Sequence, residues 1–371
     1  MTNSAPEDLS YEPDYAVVPG ASLAELLEDT GMTQAELARR TGISAKHINM
    51  IIKGSANLSP QTALKLEHVL PVPARVWNAL EANYQGHLSR LDEARQLEQH
   101  IGWASSQLIK RLAEKQLISA TKDRIQQLRE VLRFFGVSNI AAWDDVWSAS
   151  AGAAYRKAKL EGDPVALAAW MRLGELAAAE VETPPFDRAA FEQILPAARR
   201  LTMVRDLSVW LPQLEELCRA AGVVLIVKAE LPKARVNGIA RWLSPTKALI
   251  QLSVRHKRDD IFWFSFFHEC GHLLLHSKRS GPRDVPPTFV DTGKGSGTIE
   301  TEADSFASNL LIPHALEPRL AGVNSLAAAR QFAAEIGVSP GIVVGRLHHL
   351  DLKQPPWGIK DLIVHYTFTD A

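Results

Sequence analysis

His268-Glu269-Cys270-Gly271-His272 sets two imidazoles four residues apart, with a carboxylate directly after the first. The pentad lies in an apolar run, residues 261–275, long enough for a buried helix. A helix turns once in about 3.6 residues, so His268 and His272 leave one face a turn apart and can reach one zinc ion. Glu269, one position round, faces the water that such an ion holds and is the expected general base. The competing reading is two histidines buried in a core helix.

Catalytic zinc takes three protein ligands and keeps a fourth position for water, so a third ligand is required from elsewhere. His276 continues the spacing but lies about 12 Å along the axis from His268, whereas zinc–nitrogen bonds are about 2 Å. It therefore ends the helix or supports a ligand from behind. Downstream, Glu300-Thr301-Glu302-Ala303-Asp304 opens another helical segment. Glu300 is the better-placed ligand, because Asp304 then falls one turn later on the same face, able to accept the free N–H of a ligand histidine. Glu302 is the rival; its side chain points roughly 200° away from that of Glu300. The same ligand set admits manganese or another divalent ion beside zinc. Arg346, His348, His349 and Tyr366 are candidates for stabilising an oxyanion. Cys270 reads as core.

The elements that must position these groups form an α+β pattern. Residues 211–221 read as a helix, and residues 223–228, 238–243 and 247–253 as strands, with Ser244-Pro245-Thr246 as a turn. Residues 247–253 are expected to be an exposed edge strand on which an extended peptide could pair. Asp259 or Asp260 is expected to open the metal helix at its positive end. Residues 280–298, rich in Gly and Pro, read as a long loop and a plausible gate. Helical segments then continue to about residue 350.

Upstream, residues 1–20 lack periodicity and read as a disordered leader, while residues 21–85 carry four short amphipathic segments. Thr33-Gln34-Ala35-Glu36 is a capping box for a helix that stops at Gly42; Ser44 caps the next, and Ser59-Pro60 opens a third. Residues 86–202 stay helical without a chemical cluster and read as a linker or dimerisation region. Residues 203–371 form the metal domain. The fold class expected is mainly α: an N-terminal helix-turn-helix bundle, a helical middle, and an α+β, zincin-like domain with a small sheet.

Composition narrows the function classes. The chain has 371 residues and a net charge of −1, so no global basic field marks nucleic acid or an anionic membrane. Its two cysteines make no disulfide framework, which suits a reducing cytoplasm. Residues 1–15 are acidic and polar, unlike a secretory signal, and no apolar stretch reaches the roughly 20 residues of a membrane span.

The histidine pentad through His276, with Glu300-x-Glu302-Ala303-Asp304-x-Phe306-Ala307 and Leu310-Leu311-Ile312-Pro313, resembles the ImmA/IrrE family of zinc metallopeptidases over roughly residues 210–350. The resemblance implies zinc on His268, His272 and Glu300, Glu269 as general base, and cleavage of a repressor or regulator protein. Cys270 departs from the family, filling a position that is usually aliphatic. Residues 21–70 resemble the helix-turn-helix of XRE-type repressors, closely the HigA-like antitoxins, through Thr33-Gln34-Ala35-Glu36-Leu37-Ala38-x-Arg40-x-Gly42-Ile43-Ser44, Ile48, Ile51-Ile52 and Gly54. In such domains the second helix enters the major groove. That makes Ser44, Ala45, Lys46 and Asn49 the reading positions, and Gln34 and Lys53 backbone contacts with an operator. Six basic residues in 21–85 are offset by six acidic ones, so strong DNA binding calls for a homodimer. Two functions follow: a regulator fused to a zinc endopeptidase acting on a repressor, an antitoxin or itself, or a non-enzymatic antitoxin-like repressor whose zinc domain senses a signal or grips a partner.

Overall fold

The computed structural model describes residues 17–148, 162–276, 288–291, 297–350 and 359–367. It divides into two compact units, residues 1–103 with 123–128, and residues 104–122 with 129–371. The architecture is mainly α, with a four-stranded mixed sheet in the larger unit.

In the smaller unit, α1 (Pro19–Asp29), α2 (Gln34–Thr41), α3 (Ala45–Ile52), α4 (Pro60–Glu67) and α5 (Ala74–Glu98) surround Leu23, Leu37, Ile48, Leu66 and Trp77. The Thr33 hydroxyl accepts from the Glu36 amide at 3.1 Å and Ser44 from the His47 amide at 3.2 Å, each satisfying a donor the helix start leaves open. Gly42 closes α2 at φ 67°, a left-handed geometry glycine adopts without strain. α5 does not stop near residue 85. Gly86 is helical, and the helix runs on to Glu98, 25 residues in all.

In the larger unit, α6 (Ser106–Glu114), α7 (Arg124–Phe135, which begins in the smaller unit), α8 (Ile140–Trp143), α9 (Pro164–Ala179), α10 (Arg188–Leu201) and α11 (Leu207–Ala220) lead to the sheet. Strands β1 (Val223–Val227), β2 (Gly238–Ser244), β3 (Lys247–Leu252) and β4 (Thr288–Asp291) lie in the order β1-β3-β2-β4, with β1 parallel to β3 and the other pairs antiparallel. Val223, Leu225, Ala240 and Ile250 face one core, into which α10 sends Phe191, Leu195 and Ala198; Val224 and Leu249 face Ala178 of α9.

Two expectations are corrected here. β3 is an inner strand, not an exposed edge: its Ala-Leu-Ile-Gln-Leu run is buried throughout, the pattern of a strand covered on both faces. The long loop contains β4, whose Thr-Phe-Val residues suit a strand; residues 280–287 and 292–296 of that loop lie outside the described residues.

Helix α12 (Asp259–Gly271) crosses beneath the sheet and is followed by α13 (Thr298–Leu311), α14 (Leu326–Ile336) and α15 (Pro340–His349). Neither Asp259 nor Asp260 caps α12; Arg258 holds the cap position without a side-chain bond. Asp259 instead ties in the C-terminal segment. Its carboxylate accepts from the Val364 amide at 3.0 Å and the Ser339 hydroxyl at 2.5 Å, and its own amide donates to the Val364 carbonyl at 2.9 Å. Burial pushes its pKa up to about 6. The folded chain thus holds a proton there that the unfolded chain releases near pH 4, so this group's contribution to stability falls as pH rises from about 4 to 6. Asp259→Asn should remove about 1 kcal/mol per pH unit of slope in that window, read from urea midpoints at pH 4.5 and 6.5.

Candidate metal centre

The last turns of α12 carry His268, Glu269 and His272, all buried, and residues His272–His276 continue as a π turn, a local widening frequent at functional sites. Gly271 allows α13 to come close: a Cβ there would lie 3.3 Å from the Cα of Ala303. That approach brings Glu300 to the histidines. Its Oε2 is 3.4 Å from His268 Nε2 and 3.6 Å from His272 Nε2, and the two Nε2 atoms are 2.9 Å apart. One ligand atom from each of the three residues lies within 4.8 Å of the others.

Each imidazole is also held from behind. His268 Nδ1 is 2.8 Å from Asp304 Oδ1. His272 Nδ1 is 3.0 Å from His276 Nδ1, and His276 Nε2 is 2.9 Å from Glu302 Oε2. With Asp304 accepting from His268, and Glu302 fixing the proton on His276 Nε2, both ligand rings donate through Nδ1 and turn their Nε2 lone pairs towards each other. Two such lone pairs at this distance call for positive charge between them. The carboxylates around His268 favour positive charge there as well: burial lowers its pKa, yet Asp304, Glu300, Asp291 and Glu269 together push it up to about 11. The His272 pKa is shifted down, first by burial and against the pull of Glu300. The donor set, nitrogen plus carboxylate, fits zinc.

Glu269 is fully buried, and among the described residues neither carboxylate oxygen has a hydrogen-bond partner. Burial raises its pKa well above the ordinary carboxylate range, with His268 opposing and Asp291 and Glu300 reinforcing the shift. Its seat exists because Gly238 opens β2 with no side chain; a Cβ there would lie 2.7 Å from Glu269 Oε1. A buried carboxylate without partners is a stability cost, and such costs persist where chemistry uses the group.

Several site residues escape sequence reasoning. Phe289 of β4 stacks on the His272 ring at 4.6 Å with a 4° interplanar angle. Asp291, also on β4, faces the Ser265 hydroxyl at 3.4 Å and adds negative charge beside His268 and Glu269. Neither has a fixed spacing to the pentad that would betray it. Gly238 had a signal: a glycine opening an apolar strand often marks a close approach. The Glu302–His276 contact turns the rival ligand into a support for His272. Among the oxyanion candidates, Arg346 and His349 line a cavity beside His268, Arg346 being paired with Glu317. His348 does not line it, and Tyr366 is buried, its hydroxyl accepting from Trp263 Nε1 at 3.1 Å. Cys270 is buried in the core, its thiol pKa raised by burial.

In the smaller unit, Ser44 caps α3 and Ala45 and Lys46 are exposed in its first turn. Asn49 Nδ2 donates to Gln34 Oε1 at 3.4 Å, and Lys53 is exposed at the end of α3.

Residues 224–348 match the family described as the IrrE N-terminal-like domain, a peptidase family. Residues 23–77 match the helix-turn-helix family, so the chain joins a DNA-binding type of domain to a domain of peptidase type. Among solved structures, an addiction module antidote protein of the HigA family from Coxiella burnetii is similar at 22% identity, covering 23% of this chain and 92% of that chain with a TM-score of 0.21. No curated protein matches the chain. Among the described residues, no helix is long and apolar enough to cross a membrane.

Proposed function

We propose that the chain is a cytoplasmic transcriptional regulator fused to a zinc-dependent endopeptidase that hydrolyses a peptide bond in a regulatory protein: a repressor, an antitoxin partner or the chain itself. The observation that carries this reading is Glu269, a buried carboxylate beside the two histidines and Glu300 that has no hydrogen-bond partner among the described residues. His268, His272 and Glu300 would hold the ion, zinc or another divalent metal such as manganese. Bound there, zinc supplies a Lewis acid that polarises the scissile carbonyl and acidifies water. Glu269 accepts the proton of the attacking water on a carboxylate oxygen and delivers it to the leaving amide nitrogen. Asp304 and the His276–Glu302 pair keep the ligand rings in the donating tautomer. Such supports commonly contribute 10–100-fold to metal affinity. His276→Ala should accordingly weaken zinc binding by roughly that factor, measured by competition with a chromophoric chelator; unchanged affinity would remove the pair from this role.

Residues 21–85 are proposed to bind an operator, with residues 86–202 as linker or dimerisation region and the chain acting as a homodimer. Ser44, Ala45, Lys46 and Asn49 would face base edges, and Gln34 and Lys53 the backbone. Two structural details adjust those roles. The Ser44 hydroxyl is engaged as a cap, and Asn49 is braced by Gln34. Lys53→Ala should lower affinity for a fragment of the chain's own promoter evenly across sequences and reduce the salt slope by about 1. Absence of any electrophoretic shift with the wild-type protein would sink the DNA-binding role.

A further inference from the structure

Beside the metal centre lies a cavity of about 380 Å³, within the size range of ligand pockets. His268, Glu300 and Asp304 form one wall, so whatever fills the cavity sits next to the reacting bond. The lining also carries apolar surface: Ile261 and Phe264 from α12, Leu311 and Ile312 at the end of α13, and Ile342 from α15.

Most charged groups lining the cavity have partners, Asp291 facing the Ser265 hydroxyl at 3.4 Å. Asp260 accepts two bonds from Arg258, at 3.0 and 2.6 Å. Asp304 is held by His268, and Glu300 faces both ligand histidines. Arg346 is held by Glu317 at 3.0 Å. His256, whose pKa is lowered by burial and then by Arg255 and Arg258, also lines the cavity. An apolar side chain entering the cavity meets the carbon surface of Ile261, Phe264, Leu311, Ile312 and Ile342. Among the described residues, one buried polar atom of the lining has no partner: Asn237 Oδ1, at the residue preceding Gly238. It suits an N–H of a peptide backbone.

We infer that this cavity is a specificity pocket selecting peptides with a large apolar residue, such as leucine, methionine or phenylalanine, directly flanking the cleaved bond, with Asn237 accepting one backbone N–H. This rests on the peptidase reading, which it deepens by naming the substrate class.

The test uses the full-length zinc-loaded protein and a series of capped decapeptides differing at one central position: leucine, phenylalanine, glycine, aspartate or lysine. Cleavage by wild type should favour leucine or phenylalanine over glycine, aspartate and lysine by at least about tenfold in kcat/KM. Calorimetric binding to Glu269→Gln should show the same ranking without turnover. Ser308→Phe, placing a ring in the cavity one helical turn beyond Asp304, should abolish the preference while zinc content stays at the wild-type level. Cleavage or binding without an apolar preference overturns the pocket assignment and leaves the peptidase standing. Apolar-selective binding with no cleavage by wild type overturns the peptidase and keeps the pocket. Should Ser308→Phe fail to fold, the peptide ranking on wild type and Glu269→Gln decides alone.

Discussion

His272→Ala should strip the protein of zinc, as should Glu300→Ala. Three donors from two helices define the site, and each variant leaves two, with the remaining Nε2 or carboxylate no longer completing a cation's shell. Inductively coupled plasma mass spectrometry after dialysis should find about one zinc per wild-type chain and background in either variant. Stability should follow. A ligand held at a hundred times its dissociation constant adds about 2.7 kcal/mol, so a chelator should lower the wild-type melting temperature while leaving that of His272→Ala in place. Equal chelator sensitivity of wild type and variant would show that the ion binds elsewhere.

Glu269→Gln should have the second large effect, confined to turnover. Glutamine fits the space over Gly238 but cannot take a proton from water. Loss of a general base costs typically 10²–10⁴-fold, so kcat/KM should fall within that range while zinc content and the chelator response stay at wild-type values. The variant should also melt no lower than wild type, because the amide replaces a buried carboxylate whose oxygens have no partners. Retained activity in this variant would leave the non-enzymatic reading, a zinc domain that senses or grips, as the better account.

The cluster of His268, His272 and Glu300 was more legible than its surroundings. Histidines at helical spacing report their shared face directly, and Glu300 with Asp304 repeats that logic on the second helix, so the residues that meet at the site are ones whose periodicity is local. What stayed hidden depends on which strand lies next to which. β3 reads as a plausible edge until β2 and β1 are seen on either side of it, and β4 is four residues embedded in a segment dominated by Gly and Pro. Phe289 and Asp291 reach the centre through that pairing alone. Asp259 illustrates a different limit: an acidic residue at a helix start looks like a cap, but its partners, Ser339 and Val364, lie 80 and 105 residues away in sequence. Fold class was recoverable because cap residues and hydrophobic period agree locally.

Peptide-bond hydrolysis at the His268–His272–Glu300 centre is the central claim, and new N-termini test it most directly. Zinc-loaded wild type and Glu269→Gln, matched in metal content, would each be incubated with the proteome of cells lacking the gene, and new N-termini identified by mass spectrometry. The account predicts at least one cleavage, in a substrate protein or in the chain itself, that appears with wild type, vanishes with Glu269→Gln and is blocked by a chelator. The same set of N-termini with both proteins would contradict it.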